Sequence, residues 1–175
     1  MNRKQILAGL VVLAAIVVVV AAYFMFFAGS PEAALPGADN KAGVTLTAAD
    51  RTQGNLKAKV VVVEYAAPSC PHCAHWTETV YPEFKKKYID TGKVLYVFRV
   101  FPLNAADVAA EAMARCLPED NYFHFIDLVF RNQPKWDPEY GVRDVHAGLV
   151  EMGRIAGMSE TQVDACIANQ DEQKR

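Results

Sequence analysis

Val60-Val61-Val62-Val63-Glu64-Tyr65-Ala66-Ala67-Pro68-Ser69-Cys70-Pro71-His72-Cys73 decides how the rest of this chain is read. Its first half, 60–66, is apolar on both faces, the pattern of a strand covered on both sides. Its second half opens a helix. Two cysteines separated by two residues, where a strand turns into a helix, read as a redox pair. Cys70 falls at the helix N-terminus, where free N–H groups and the macrodipole favour an anion, and the thiolate is the attacking form of a thiol. Cys73 lies about one turn on, within reach to resolve a mixed disulfide. Ser69 is the candidate cap. Glu64 interrupts the valine run, and a carboxylate there is costly without a partner or a task. It is either solvated at a sheet edge or a proton acceptor beneath the cysteines.

Downstream, residues 70–89 read as one helix with Cys73, Trp76, Val80, Phe84 and Tyr88 on its apolar face. Pro82 should kink it, and Gly92 should close it. Residues 94–101 alternate and are rich in β-branched and aromatic types, hence a strand. Strand, helix, strand makes a right-handed βαβ unit with parallel strands. From Asn104 the pattern is helical: 104–117, 119–132, 143–156, and a fourth helix opened by the capping box Ser159-Glu160-Thr161-Gln162. Residues 133–141 read as a loop. Upstream, 44–47 reads as a short edge strand and 48–59 as a loop or short helical turn.

Residues 6–28 are 23 positions without a charge. As a helix they would span roughly 35 Å, enough to cross a bilayer. Arg3 and Lys4 precede the run and no further Lys or Arg follows until Lys41, which places the N-terminus in the cytoplasm and the remainder outside. A cleaved signal peptide would have a shorter apolar core and a cleaner small-x-small site than Ala28-Gly29-Ser30, which Pro31 follows. The run is therefore read as an anchor, 1–28, and the Gly- and Pro-containing stretch 29–43 as its linker. The chain has 175 residues, enough for one domain with a real core, and 52% of them are hydrophobic, an excess that sits mostly at the N-terminus. Beyond Arg3 and Lys4 it carries 16 basic against 20 acidic residues, a net charge of −4, which lacks the footprint of a nucleic-acid binder.

The run Val-Glu-Tyr-Ala-Ala-Pro-Ser-Cys-Pro-His-Cys, with Gly92-Lys93-Val94 and Arg99-Val100-Phe101-Pro102-Leu103, resembles the DsbA-like thiol:disulfide oxidoreductases of the thioredoxin superfamily, over about residues 57–169. The resemblance implies an α/β thioredoxin-like fold with a helical insertion at 104–170, preceded by an N-terminal transmembrane helix. It assigns Cys70 as nucleophile, Cys73 as resolving thiol, Pro71 and His72 as the residues that tune the thiolate, and Glu64 as the buried acid. It implies cysteine-containing exported proteins as substrates, a DsbB-like membrane partner that reoxidises the pair, a periplasmic or other extracytoplasmic location, and no cofactor or resident metal. The family continues beyond the insert with a cis-proline loop, two antiparallel strands and a helix. Here the sequence runs to Arg175 without them, so 44–175 reads as an incomplete domain, natural truncation or fragment, in which strand 60–66 has an open edge.

Cys116 and Cys166 fall in the insert. They are either buried free thiols or, as in some relatives and as an oxidising compartment favours, a structural disulfide. Cys70 and Cys73 with His72 or His75 form the rival set, a metal-binding thiol site, and an inactive relative is the third reading. His124 and His146 read as solvated, and Trp76, Trp136 and Tyr140 as packing residues.

Overall fold

The computed structural model describes residues 43–169. The anchor at 6–28 and nearly all of the linker lie outside that range. Among the described residues no helix is long and apolar enough to cross a membrane.

Three strands form the sheet: β1 (Arg51–Gly54), β2 (Val60–Ala66) and β3 (Val94–Val100), in the order β1-β3-β2. β2 runs parallel to β3 with Val62 opposite Tyr96 and Glu64 opposite Phe98. β1 pairs antiparallel on the far side, Arg51 opposite Phe98. β3 is thus the central strand, and Val94 through Phe98 are buried. Its alternation divides the core. Tyr96 and Phe98 face the helices, while Leu95 and Val97 pack on the opposite face with Leu46, Ala58, Val61 and Val63.

One reading changes here. The first strand is 51–54, inside the stretch expected to be loop, and only Val44 of 44–47 makes an isolated bridge. Arg-Thr-Gln-Gly has no hydrophobic alternation. Its pairing with β3 and the neighbouring Arg99–Asp50 ion pair at 2.6 Å hold it in place. β2 stands at the edge of the sheet, as its expected open edge requires, and its side chains pack on both faces, Val62 on the helix side and Val61 and Val63 on the other. Val60 is 52% exposed, and among the described residues nothing pairs with the strand's outer edge.

Between β2 and β3 the long helix is broken. α1 (Pro71–Thr79) ends at Val80, α2 (Tyr81–Phe84) is one turn, and Lys85–Ile89 is π-helical. Pro82 has no N–H to give to the preceding turn, so the helix breaks where a kink was expected. The break rotates the register. Trp76 and Phe84 still face inward with Tyr81, but Val80 and Tyr88 are exposed. Gly92, at φ 71°, closes the segment.

The insert follows as α3 (Ala105–Cys116), α4 (Glu119–Arg131), α5 (Gln133–Trp136), a 3-10 turn (Pro138–Tyr140), α6 (Val145–Ile155) and α7 (Glu160–Ile167). The expected loop at 133–141 is largely helical turns. Trp136 anchors it, fully buried with its Nε1 donating to the Val129 carbonyl at 2.9 Å. A Cβ at Gly148 would lie 2.5 Å from the Lys135 carbonyl oxygen, so only glycine lets α6 press this closely on α5.

Candidate redox site

β2 delivers the chain to a buried turn, 67–70, and α1 starts at once. Cys70 is extended (φ −72°, ψ 116°) and is itself the N-cap of α1; the backbone N–H of Cys73 donates to its Sγ at 3.2 Å. This corrects the expectation for Ser69. That residue is 1% exposed, and its N–H and hydroxyl both donate to the Asp107 carboxylate, at 2.7 and 3.0 Å. A helix capped by sulfur offers an N–H to the nucleophile, and the bond strengthens when the sulfur becomes an anion. Pro71 occupies the first helical position, where its missing N–H costs nothing.

Cys73 is different. Burial pushes its thiol up to about 11, and the neighbouring Cys70 sulfur and the Glu64 charge push the same way. The pair is therefore asymmetric: one sulfur receives a helix N–H, while the other is held as a thiol. Glu64, Cys73, His72, Trp76 and Tyr96 line one open depression of about 370 Å³. Burial raises Glu64, and the Tyr96 hydroxyl, which donates to its carboxylate, partly offsets this. Glu64 is thus neither simply solvated nor unpartnered: it stands half-buried on the edge strand.

The five sequence-derived residues Glu64, Cys70, Pro71, His72 and Cys73 come together. Cys116 and Cys166 lie elsewhere, bonded to each other between the ends of α3 and α7, with Cα atoms 6.0 Å apart. His75 and His124 are exposed, and His146 pairs with Asp164 at 2.7 Å across α6 and α7. Among the described residues no group of three His, Cys, Asp or Glu side chains could hold a metal ion.

Three residues at the site escaped the sequence reading. Tyr96 looked like a strand aromatic. Asp107 was not singled out in the helix that Asn104 opens; it completes a capping box with Asn104, and its carboxylate also receives Ser69, 38 residues away. Gln133 sat in an apparent loop. Its Nε2 donates to the carbonyl oxygens of Pro68 at 2.7 Å and Cys70 at 3.0 Å.

A parallel β-α-β unit with a redox-spaced cysteine pair at the helix start and a helical insert after β3 defines a thioredoxin-like fold of the DsbA type. The chain belongs to the thioredoxin family, whose sequence profile matches residues 46–175. It is similar to a relative from Rickettsia bellii named as a protein-disulfide oxidoreductase, 38% identical over 121 residues, 69% of this chain and 46% of that protein. It is also similar to disulfide bond formation protein D of Bacillus subtilis, 30% identical over 91 residues, half of this chain and 41% of the relative. Among solved structures, Wolbachia pipientis alpha-DsbA1 superposes with a TM-score of 0.65 at 32% identity, over 71% of this chain and 62% of that one. The chain thus spans about half the length of the curated relatives it matches.

Proposed function

We propose that this chain carries the redox centre of a thiol:disulfide oxidoreductase that passes the Cys70–Cys73 disulfide to cysteine-containing exported proteins. The observation that carries the reading is the asymmetry of the pair, with a helix N–H on the Cys70 sulfur and burial on Cys73. In the oxidised form, a substrate thiolate attacks the Cys70 sulfur and the Cys70–Cys73 bond breaks. Cys73 leaves with the electron pair and takes a proton, which the raised Glu64 carboxyl across the same depression is placed to supply. The substrate's second thiolate then attacks its own sulfur in the mixed disulfide. The substrate leaves oxidised by two electrons, and the protein is left as the Cys70 thiolate and Cys73 thiol. A thiolate stabilised at Cys70 is a good leaving group, which favours the oxidant direction. The Arg3 and Lys4 charges before the uncharged run 6–28 support a tether that holds this domain outside the cytoplasm, where a DsbB-like membrane partner would restore the disulfide.

Equilibration with glutathione and oxidation of a dithiol peptide test the proposal. A potential as low as about −270 mV would make the protein a reductant and sink the donor direction. Tight stoichiometric zinc on Cys70 and Cys73 would replace redox transfer with metal binding.

Glu64 gives a separate prediction. Its folded-state pKa lies above the ordinary value of 4.5, so the folded protein holds this proton more tightly than the unfolded chain. The stability this contributes is complete below that ordinary value and is lost as pH rises through the raised one. Glu64→Gln stays neutral throughout. Its stability relative to wild type should rise across that window and level off above it, followed by denaturant midpoints. Without the acid to protonate the departing Cys73, the mixed disulfide on Cys70 should form about a hundredfold more slowly. A stability difference independent of pH would show that the carboxyl does not carry the raised proton affinity.

A further inference from the structure

The turn that holds Cys70 is gripped from outside the βαβ unit. Pro68, Ser69 and Cys70 lie beyond the β2–β3 register, which ends with Ala66 opposite Val100. Instead Asp107, on α3, takes both donors of Ser69. Gln133, at the start of α5 and 2% exposed, takes the carbonyls on either side of Ser69. Two carbonyl oxygens can only accept, so the amide nitrogen must face them and the amide oxygen must face away. There the Tyr140 hydroxyl donates to it at 3.3 Å. The orientation of the amide is thus fixed at both ends.

The Cys70 carbonyl already accepts the first α1 bond, from Ala74 N at 3.0 Å, and the Gln133 bond is its second. That carbonyl is the pivot of the cap. Its direction sets the Cys70 ψ of 116°, and with it the aim of the Cys73 N–H at the Cys70 sulfur. The Gln133 amide also brings positive hydrogens to two carbonyl oxygens that flank the residue before, and belong to, a cysteine whose sulfur must become an anion.

We propose that Gln133 is a positioning residue for the Cys70 thiolate, through which the helical insert sets the oxidising strength of the pair. This rests on the redox reading of Cys70 and Cys73, and it gives the insert a task beyond packing. Removal of the amide takes away one of the two donors that aim the Cys70 carbonyl and leaves the Pro68 oxygen buried without this donor, and both effects disfavour the reduced, anionic form more than the disulfide.

Gln133→Met keeps length and removes the donors; Gln133→Glu keeps shape and replaces donors with acceptors. Met152→Ala, in the insert core on α6, serves as the stability control. Two quantities are measured on the full chain: the equilibrium constant with glutathione and the rate of Cys70 alkylation by iodoacetamide at neutral pH. One lost hydrogen bond corresponds to a factor of about five. The equilibrium constant of Gln133→Met should shift about fivefold toward the disulfide, near 20 mV for this two-electron couple. Alkylation should slow by a similar factor, and Gln133→Glu should exceed both shifts. Met152→Ala should lose stability and move neither. Gln133 variants that behave like Met152→Ala overturn the inference, leaving Gln133 a structural residue. If Gln133→Met does not fold, Gln133→Asn, which keeps the amide but falls short of the turn, carries the same expectation. Alkylation reports on the sulfur and not on turnover. A wild type that oxidises no dithiol would defeat the proposed function, while the Gln133 effect on alkylation would still stand or fall by itself.

Discussion

Cys70→Ser abolishes dithiol oxidation, whereas Cys73→Ser converts the protein into a trap. The two thiols are three residues apart in sequence but not equivalent in surroundings. In the proposed cycle the Cys70 sulfur is the atom attacked by substrate and the atom released, because a helix N–H reaches it at 3.2 Å and favours its anion. Serine at that position offers no disulfide to donate and an oxygen that stays protonated, so the rate should fall by several orders of magnitude to the uncatalysed background. Serine at 73 leaves the cap intact, since the donor is a backbone N–H. A Cys70 mixed disulfide formed from an activated peptide with a single cysteine then has neither Cys73 nor a second substrate thiol to break it and should accumulate. Mass spectrometry of the two variants incubated with an activated single-cysteine peptide distinguishes them. A stable peptide adduct on Cys73 in the Cys70→Ser variant, formed as readily as the Cys70 adduct in the other, would reverse the assignment. That outcome runs against a Cys73 thiol that burial pushes to about 11.

The part of this site that was legible in the sequence is the part made by neighbours in sequence. The cysteine spacing, the strand before it, the parallel strand after it and the Asn104 and Ser159 caps all follow from short-range patterns, and the structure has each of them. What was not legible is set by contacts across long separations. Arg51–Gly54 is a strand only because β3 lies beside it. Ser69 looked like a cap because serine before a helix usually is one. Asp107, 38 residues on, draws the hydroxyl away and leaves the capping to a sulfur. Gln133 carried no signal at all, since a glutamine beside a proline reads as solvated loop. Its burial depends on Trp136 and on the space that Gly148 leaves for α5.

Removal of the Cys116–Cys166 bond should destabilise the domain by about 4 kcal/mol, because it closes a loop spanning 50 positions of sequence. In the chain-entropy picture the bond acts mainly on the unfolded chain, which loses the freedom to separate α3 from α7. The folded state has little to lose. The Cα atoms stand 6.0 Å apart, an ordinary separation for a bridge, and Cys166 is buried against a core of Met113, Met152 and Val163 that alanine would leave nearly intact. The double variant Cys116→Ala/Cys166→Ala should therefore fold, keep the Cys70–Cys73 potential, and melt roughly 15 °C lower than the oxidised wild type. Reduction of the wild type should reproduce most of that shift. Calorimetry of the two proteins with and without reductant, together with non-reducing peptide maps, checks both halves. Absence of the Cys116–Cys166 peptide from the map would remove the basis of the prediction. A melting point unchanged by reductant, with the bridge present, would show that α3 and α7 remain associated in the unfolded chain.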